Sequence, residues 1–294
     1  MKNNNLKRRE LLKTLAVGTT SVFLGSTGFS KLETQRVSKQ LKGNVNHSVC
    51  KWCFPSLSLE ELCIVAVDYG LKGIDLIGPS GWDMLKKYNL VSTMCNGAEI
   101  SLTEGFNDLQ YHSILIERYM KHIRLVADAG FTNLICFSGN RRGMDDETGL
   151  QNCVKALKQL LPKAEELGVV IQMELFNSKI DHPDYMCDNS AWGIELCKRL
   201  DSPNFKLLYD IYHMQISEGD IIRTITDNHQ YFGHYHTAGV PGRNEIDATQ
   251  ELFYPAIMNA IVSTGYQGIV AQEFVPKNEN PLESLKESIL ICDV

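Results

Sequence analysis

Short apolar runs and amphipathic stretches alternate along this chain from residue 47 to its end. Eight runs have the near-continuous apolar character of strands covered on both faces: HSVCKWCF (47–54), KGIDLIG (72–78), VSTMCN (91–96), TNLICFSG (132–139), VVIQME (169–174), FKLLYD (205–210), YFGHYH (231–236) and GIVAQE (268–273). Helical patterns separate them. Residues 111–129 carry apolar side chains at 111, 114, 115, 119, 123 and 126, the 3-and-4 spacing of a helix with one buried face. Further helices are predicted over 59–70, 82–89, 150–167, 191–200, 217–227, 251–263 and 281–291. Ser58 is placed to cap the first of them, and Gly70, Gly130, Gly168 and Gly265 mark stops.

Eight strands alternating with eight helices predict a single α/β domain, a (β/α)8 barrel over 47–294. An open doubly wound sheet is the rival. It is disfavoured because the first strand runs into CFPSLSL, with no glycine fingerprint. Residues 31–46 are polar and aperiodic and read as a linker. Residues 1–30 differ in kind: Lys7-Arg8-Arg9 precedes the short apolar, small-residue run TLAVGTTSVFLGSTG. That pattern predicts a twin-arginine-type signal, and so a periplasmic or exported protein. The run is too short to span ~30 Å of hydrocarbon, so no stable membrane span is expected after signal removal.

Composition narrows the picture. The chain has 294 residues, 44% hydrophobic and 22% charged, with a net charge of −6. Without residues 1–30 it keeps 24 basic and 34 acidic residues, a net −10. No basic stripe remains to meet a nucleic-acid backbone. Nine cysteines are scattered through apolar runs, which argues for packing rather than a disulfide framework. Cys50-Lys-Trp-Cys53 is a lone CxxC with no partner pair at zinc spacing.

The chemistry lies at the ends of the last four strands. VVIQME ends at Glu174, FKLLYD at Asp210, YFGHYH at His236 and GIVAQE at Glu273. A barrel brings the C-terminal ends of its strands to one face, so these four are expected to be neighbours along the rim. Three carboxylates and an imidazole make a mainly oxygen donor set suited to Mn²⁺, Mg²⁺ or Co²⁺. Without a cation the clustered carboxylates would raise one another's pKa. His234 lies two before His236 and shares its strand face, one layer deeper. His182 and Tyr185, on the loop after Glu174, are placed to line the mouth. His47 and Trp52 either face the pocket or pack.

The run ELFNSKIDHPDYMCD…LLYDIYHMQ…HYHTAGVPGRNEID…QEF resembles the hydroxypyruvate isomerase branch of the xylose isomerase-like barrels. The resemblance spans roughly 47–294 and is specific in the second half. It implies that Glu174, Asp210, His236 and Glu273 hold the metal, and that Glu174 and Glu273 are also catalytic, moving protons. It further implies that His213 and Arg243 contact the substrate, a small sugar or hydroxy-keto acid such as hydroxypyruvate, converted to tartronate semialdehyde. Hydroxypyruvate isomerases often carry Gln where His236 stands, and ketose 3-epimerases of the same superfamily carry His. The alternatives are therefore a ketose 3-epimerase, or an isomerase of a larger or 3-keto sugar. A phosphodiesterase of the endonuclease IV type would need more metal ligands and a basic face. A sugar-binding barrel without activity would not need two opposed glutamates. Self-association into a homo-oligomer is left open.

Overall fold

The computed structural model describes residues 41–294. The eight strands are β1 (Asn46–Cys50), β2 (Gly73–Asp75), β3 (Val91–Ser92), β4 (Asn133–Cys136), β5 (Val170–Glu174), β6 (Phe205–Asp210), β7 (Phe232–Thr237) and β8 (Ile269–Gln272). All pair in parallel, in the order β3-β2-β1-β8-β7-β6-β5-β4. The ring is closed between β3 and β4 by one residue. Cys95 N donates to Asn133 O at 2.9 Å, and Cys95 O accepts from Ile135 N at 3.0 Å. The expected (β/α)8 barrel is therefore a single unit with a thin seam.

Among the described residues nine α-helices follow the strands: α1 (Leu59–Asp68), α2 (Trp82–Lys87), α3 (His112–Asp128), α4 (Asp146–Leu167), α5 (Ser190–Leu200), α6 (Ile211–Ser217), α7 (Ile221–Asn228), α8 (Tyr254–Ser263) and α9 (Pro281–Cys292). Their starts are chemically defined. Ser58 and Glu61 form a reciprocal capping box on α1, and Asp145, Asn189 and Asp210 accept first-turn amides of α4, α5 and α6. Gly168 ends α4 in the left-handed conformation that glycine adopts without strain. Buried faces such as Leu115, Tyr119, Ile123 and Val126 of α3 pack onto the barrel.

Two expectations are corrected. The helix read over 217–227 is α7, which starts only at Ile221 because Gly219 and Asp220 both take positive φ and turn the chain, and the short helix α6 before it was not expected. The first strand stops at Cys50, and Lys51–Cys53 form a single 3-10 turn, so only the first cysteine of the CxxC lies in a strand. All nine cysteines are free and buried. The proposed signal and most of the linker lie outside the described residues. Within the linker's end, Lys42 N donates to Asp293 and Asn44 to Val294 O, tying this segment to the chain's far end. No described helix is long and apolar enough to cross a membrane.

Candidate metal and substrate site

The parallel register carries four polar residues to one end of the barrel. Glu174 and Asp210 close β5 and β6, His236 is the penultimate residue of β7, and Glu273 follows β8 directly. One ligand atom from each lies within 4.8 Å of all the others, and all four side chains are buried. His236 is the centre of the group. Its Nδ1 sits 3.0 Å from Glu174 Oε1 and 2.7 Å from Glu273 Oε2.

Burial of three carboxylates in so small a space sets their electrostatics. Burial pushes Glu174 up to about 7 against a hydrogen bond from His236, with the Glu273 charge adding to the rise. Burial likewise raises Asp210 to about 6, opposed by Arg243. Burial would raise Glu273 too, but the Arg243 guanidinium and the His236 imidazole outweigh it and hold Glu273 well below the usual range. Burial opposes a charge on His236, yet Glu273, Asp75 and Glu174 together keep it well above the ordinary imidazole value. The group thus carries an excess of negative charge that its own cations only partly balance. Its donors, three carboxylate groups and one imidazole with a nitrogen facing them, suit a divalent cation of the Mg²⁺, Mn²⁺ or Co²⁺ kind.

Arg243 occupies the mouth of this cluster. It reaches there from a loop in which Gly242 and Arg243 itself both have positive φ. Its Nη2 donates to Asp210 Oδ2 at 3.1 Å and also to Glu273 Oε2, its Nε donates to Glu273 O at 3.2 Å, and its Nη1 donates to His213 Nε2 at 2.8 Å. The guanidinium is flanked by the rings of Trp52 and Tyr212, at 5.3 and 5.2 Å. His213 is completely buried at the start of α6, held by the Asp210 cap and by Asn177 Nδ2 at 2.7 Å from its Nδ1. Burial and the nearby Arg243 push it well below the normal imidazole pKa, so it is neutral.

A cavity of about 440 Å³ opens over Glu174, Glu273 and Arg243. Its walls include Trp52, Leu76, Phe137, Phe176 and His182. His182 lies flat on Phe176, ring centroids 4.2 Å apart. The structure therefore brings together Glu174, Asp210, His236, Glu273, His213, Arg243 and His182. Tyr185 does not line the mouth: it is buried, with its hydroxyl donating to Glu174 O at 3.0 Å. His47 lies buried beside Asp293, far along β1 from Cys50.

One residue of the site went unread, Asp75, and Trp52, left open between pocket and packing, is found at the site. Trp52 Nε1 donates to Glu273 Oε1 at 2.8 Å, and Asp75 Oδ2 accepts from His236 Nε2 at 2.8 Å. The signal for Asp75 was available, since it is an acid inside the apolar run KGIDLIG. Reading that run through to Gly78 hid the fact that the strand ends at Asp75.

Comparison with known proteins places these features in context. The family model described as xylose isomerase-like TIM barrel matches residues 66–291. The chain is 34% identical to the 2-oxo-tetronate isomerase of Cupriavidus necator (strain H16) over 110 residues, 37% of this chain and 42% of that protein. It is 32% identical to a putative hydroxypyruvate isomerase of Xenopus laevis over 114 residues, 39% of this chain and 42% of that one. The chain thus spans under half the length of these curated relatives. The crystal structure of an AP endonuclease, family 2, from Brucella melitensis shares the fold: TM-score 0.70 and 23% identity, covering 82% of this chain and 97% of that one.

Proposed function

The chain belongs to the xylose isomerase-like TIM barrel family, and from that premise we propose that it is a metal-dependent aldose–ketose isomerase of a small hydroxy-keto acid or sugar, hydroxypyruvate-like in its reacting end. The observation that carries this reading is the pair Glu174 and Glu273, both against His236 Nδ1, at 3.0 and 2.7 Å. Two carboxylates meet one space from different strands.

Isomerisation moves a proton between two adjacent carbons, one bearing a carbonyl and one a hydroxyl. Glu174, Asp210, Glu273 and His236 Nδ1 are the groups that would hold the cation. When bound, a divalent cation supplies positive charge to the carbonyl and hydroxyl oxygens as the enediolate develops. Glu273, kept ionised by Arg243 and His236, is the group fitted to remove a proton. Glu174, raised to about 7, is fitted to give one back. Arg243, with five donors and a firm charge, is placed to meet a substrate carboxylate or hydroxyl, His182 on the cavity wall to hydrogen-bond a further oxygen, and buried His213 to hold Arg243 in place.

A second reading is favoured by one observation. The cavity of about 440 Å³ offers more room than a three-carbon acid fills, within the range of pockets that enclose larger ligands. A ketose 3-epimerase, or an isomerase of a larger or 3-keto sugar, would use the same two glutamates on one carbon or two. A screen of metal-supplemented protein with hydroxypyruvate, 2-oxo-tetronate, ketohexoses and 3-keto sugars in D₂O separates these. Deuterium at C2 or C3 of hydroxypyruvate, 2-oxo-tetronate or their products supports isomerase action, deuterium at C3 alone of a ketohexose supports epimerase action, and no incorporation into any of them would leave only a binding protein. Export by a twin-arginine route is part of the proposal, supported by the Lys7–Lys13 segment and its apolar run. Finding the mature chain uncleaved in the cytoplasmic fraction would refute it.

A further inference from the structure

Beneath the four clustered groups lies a carboxylate to which the proposed reaction assigns no part. Asp75 ends β2 inside the barrel and is completely buried. A buried charge is tolerated only when it is paired and hydrogen-bonded, and each neighbour of Asp75 supplies something. His236 Nε2 donates to its Oδ2 at 2.8 Å, the Thr93 hydroxyl donates to its Oδ1, and Cys50 Sγ donates to Oδ2 at 3.7 Å. His234 Nε2 lies 3.2 Å from Oδ1. Asp75 is thus anchored from β1, from Thr93 just after β3, and from β7 at once.

The consequence falls on His236. An imidazole ligates a metal through one nitrogen, and a hydrogen-bond acceptor on the other decides which nitrogen that is. A carboxylate there also makes the ring a stronger donor. Here Nε2 faces Asp75 and Nδ1 faces Glu174 and Glu273. We propose that Asp75 is the positioning residue of the cation site: it keeps the proton of His236 on Nε2, so that the Nδ1 lone pair is aimed into the space between Glu174, Asp210 and Glu273. This inference rests on the reading of that space as a divalent-cation site. It differs from a second cation held by Asp75, His234 and His236, which stand close enough to form one.

The test is Mn²⁺ binding to the full chain stripped of metal, followed by the EPR signal of free Mn²⁺, for the wild type, Asp75→Asn and Thr93→Val. Asp75→Asn keeps the shape and an acceptor but removes the charge. It is expected to keep its circular-dichroism spectrum and to bind Mn²⁺ about 10–100-fold more weakly. Thr93→Val, which leaves the carboxylate in place but takes the hydroxyl away from both Asp75 and Ser48, is expected to lose affinity less and carries the test if Asp75→Asn folds poorly. With Co²⁺ in place of Mn²⁺, Asp75→Asn is expected to shift the visible d–d bands, which a purely structural role would leave in place. Wild-type protein is expected to bind one cation per chain. Variants that bind within twofold of wild type with an unchanged Co²⁺ spectrum overturn the role of Asp75 while leaving the cation site standing. Two cations per wild-type chain also overturn it, because Asp75 would then be a ligand. Absence of binding to wild type removes the cation site itself, and the inference with it.

Discussion

At the residue scale, the site is an asymmetric pair of glutamates around one imidazole. Glu174→Gln and Glu273→Gln preserve size and a hydrogen-bonding group but can neither take nor give the proton. Each is expected to keep the fold and to lower turnover at least ~10²-fold in a coupled or NMR assay on whichever substrate the screen identifies. Wild-type turnover in either variant would sink the two-carboxylate mechanism. Cation affinity should depend on pH with a definite sign. Ligands must be deprotonated to bind metal. Glu174 at about 7 and Asp210 at about 6 hold protons at low pH that a cation must displace, and His236, raised well above its usual value, holds another. Glu273 is ionised throughout and adds no slope. Mn²⁺ affinity should therefore rise between pH 5 and 8, by about tenfold per pH unit for each proton released. Calorimetry in buffers of different ionisation heat would report those protons, and a flat profile would contradict the assigned protonation. The four rim residues were legible because each terminates an apolar run. Trp52 stayed open between pocket and packing, since its indole reaches Glu273 from a 3-10 turn that strand periodicity does not describe. Arg243 came only through the resemblance, because nothing in VPGR reveals a left-handed backbone that aims its side chain inward.

At the element scale, local chemistry placed most boundaries. Ser58 was read as a helix start, and the structure adds Glu61 to make a capping box on α1, with Glu61 N donating to Ser58 Oγ at 3.2 Å and Ser58 N donating to Glu61 Oε2 at 2.8 Å. Ser58→Ala should remove one half of it and cost about 1 kcal/mol, a fall in Tm of about 2–4 °C for a chain of this size. A Tm within half a degree of wild type would mean that packing of Leu62 and Ala66 alone holds the helix. The α6–α7 break illustrates the opposite case. Apolar spacing continues across Ser217–Asp220, but Gly219 and Asp220 turn the chain there. A Glu-Gly-Asp sequence is a turn signal, and periodicity outweighed it. The break has a structural use: it leaves α6 as a short helix whose first turn is capped by Asp210, so the proposed cation ligand and His213 are fixed by the same carboxylate.

At the scale of the whole molecule, the barrel's strand pairing is uneven around the ring. β5, β6 and β7 pair over four residues at each junction, whereas β2 and β3 pair over two, and the seam between β3 and β4 is closed by the two Cys95 backbone hydrogen bonds and one from Asn133 Nδ2 to Thr93 O. Count and alternation predicted the barrel but not this asymmetry, because a two-residue strand has no period to detect. The asymmetry coincides with function: the proposed cation ligands stand at the ends of β5 to β8, whose junctions pair over three or four residues, and the wall residues Leu76 and Ile100 come from the side with the two-residue junction and the seam. A rigid half would hold ligands at fixed distances while the other half adapts the cavity to a substrate. Regions with few ladder bonds open at lower free energy than densely paired ones. Hydrogen exchange on the metal-free protein should therefore show the Cys95 and Ile135 amides exchanging at least about tenfold faster than those of Leu207 and Leu208 in β6. Added cation should slow β5–β8 exchange more than exchange at the seam, because it links only strands β5 to β8 directly. Equal protection all round the ring would mean that the helices, rather than the ladder, set the barrel's local stability, and the division into a rigid and an adaptable half would fall.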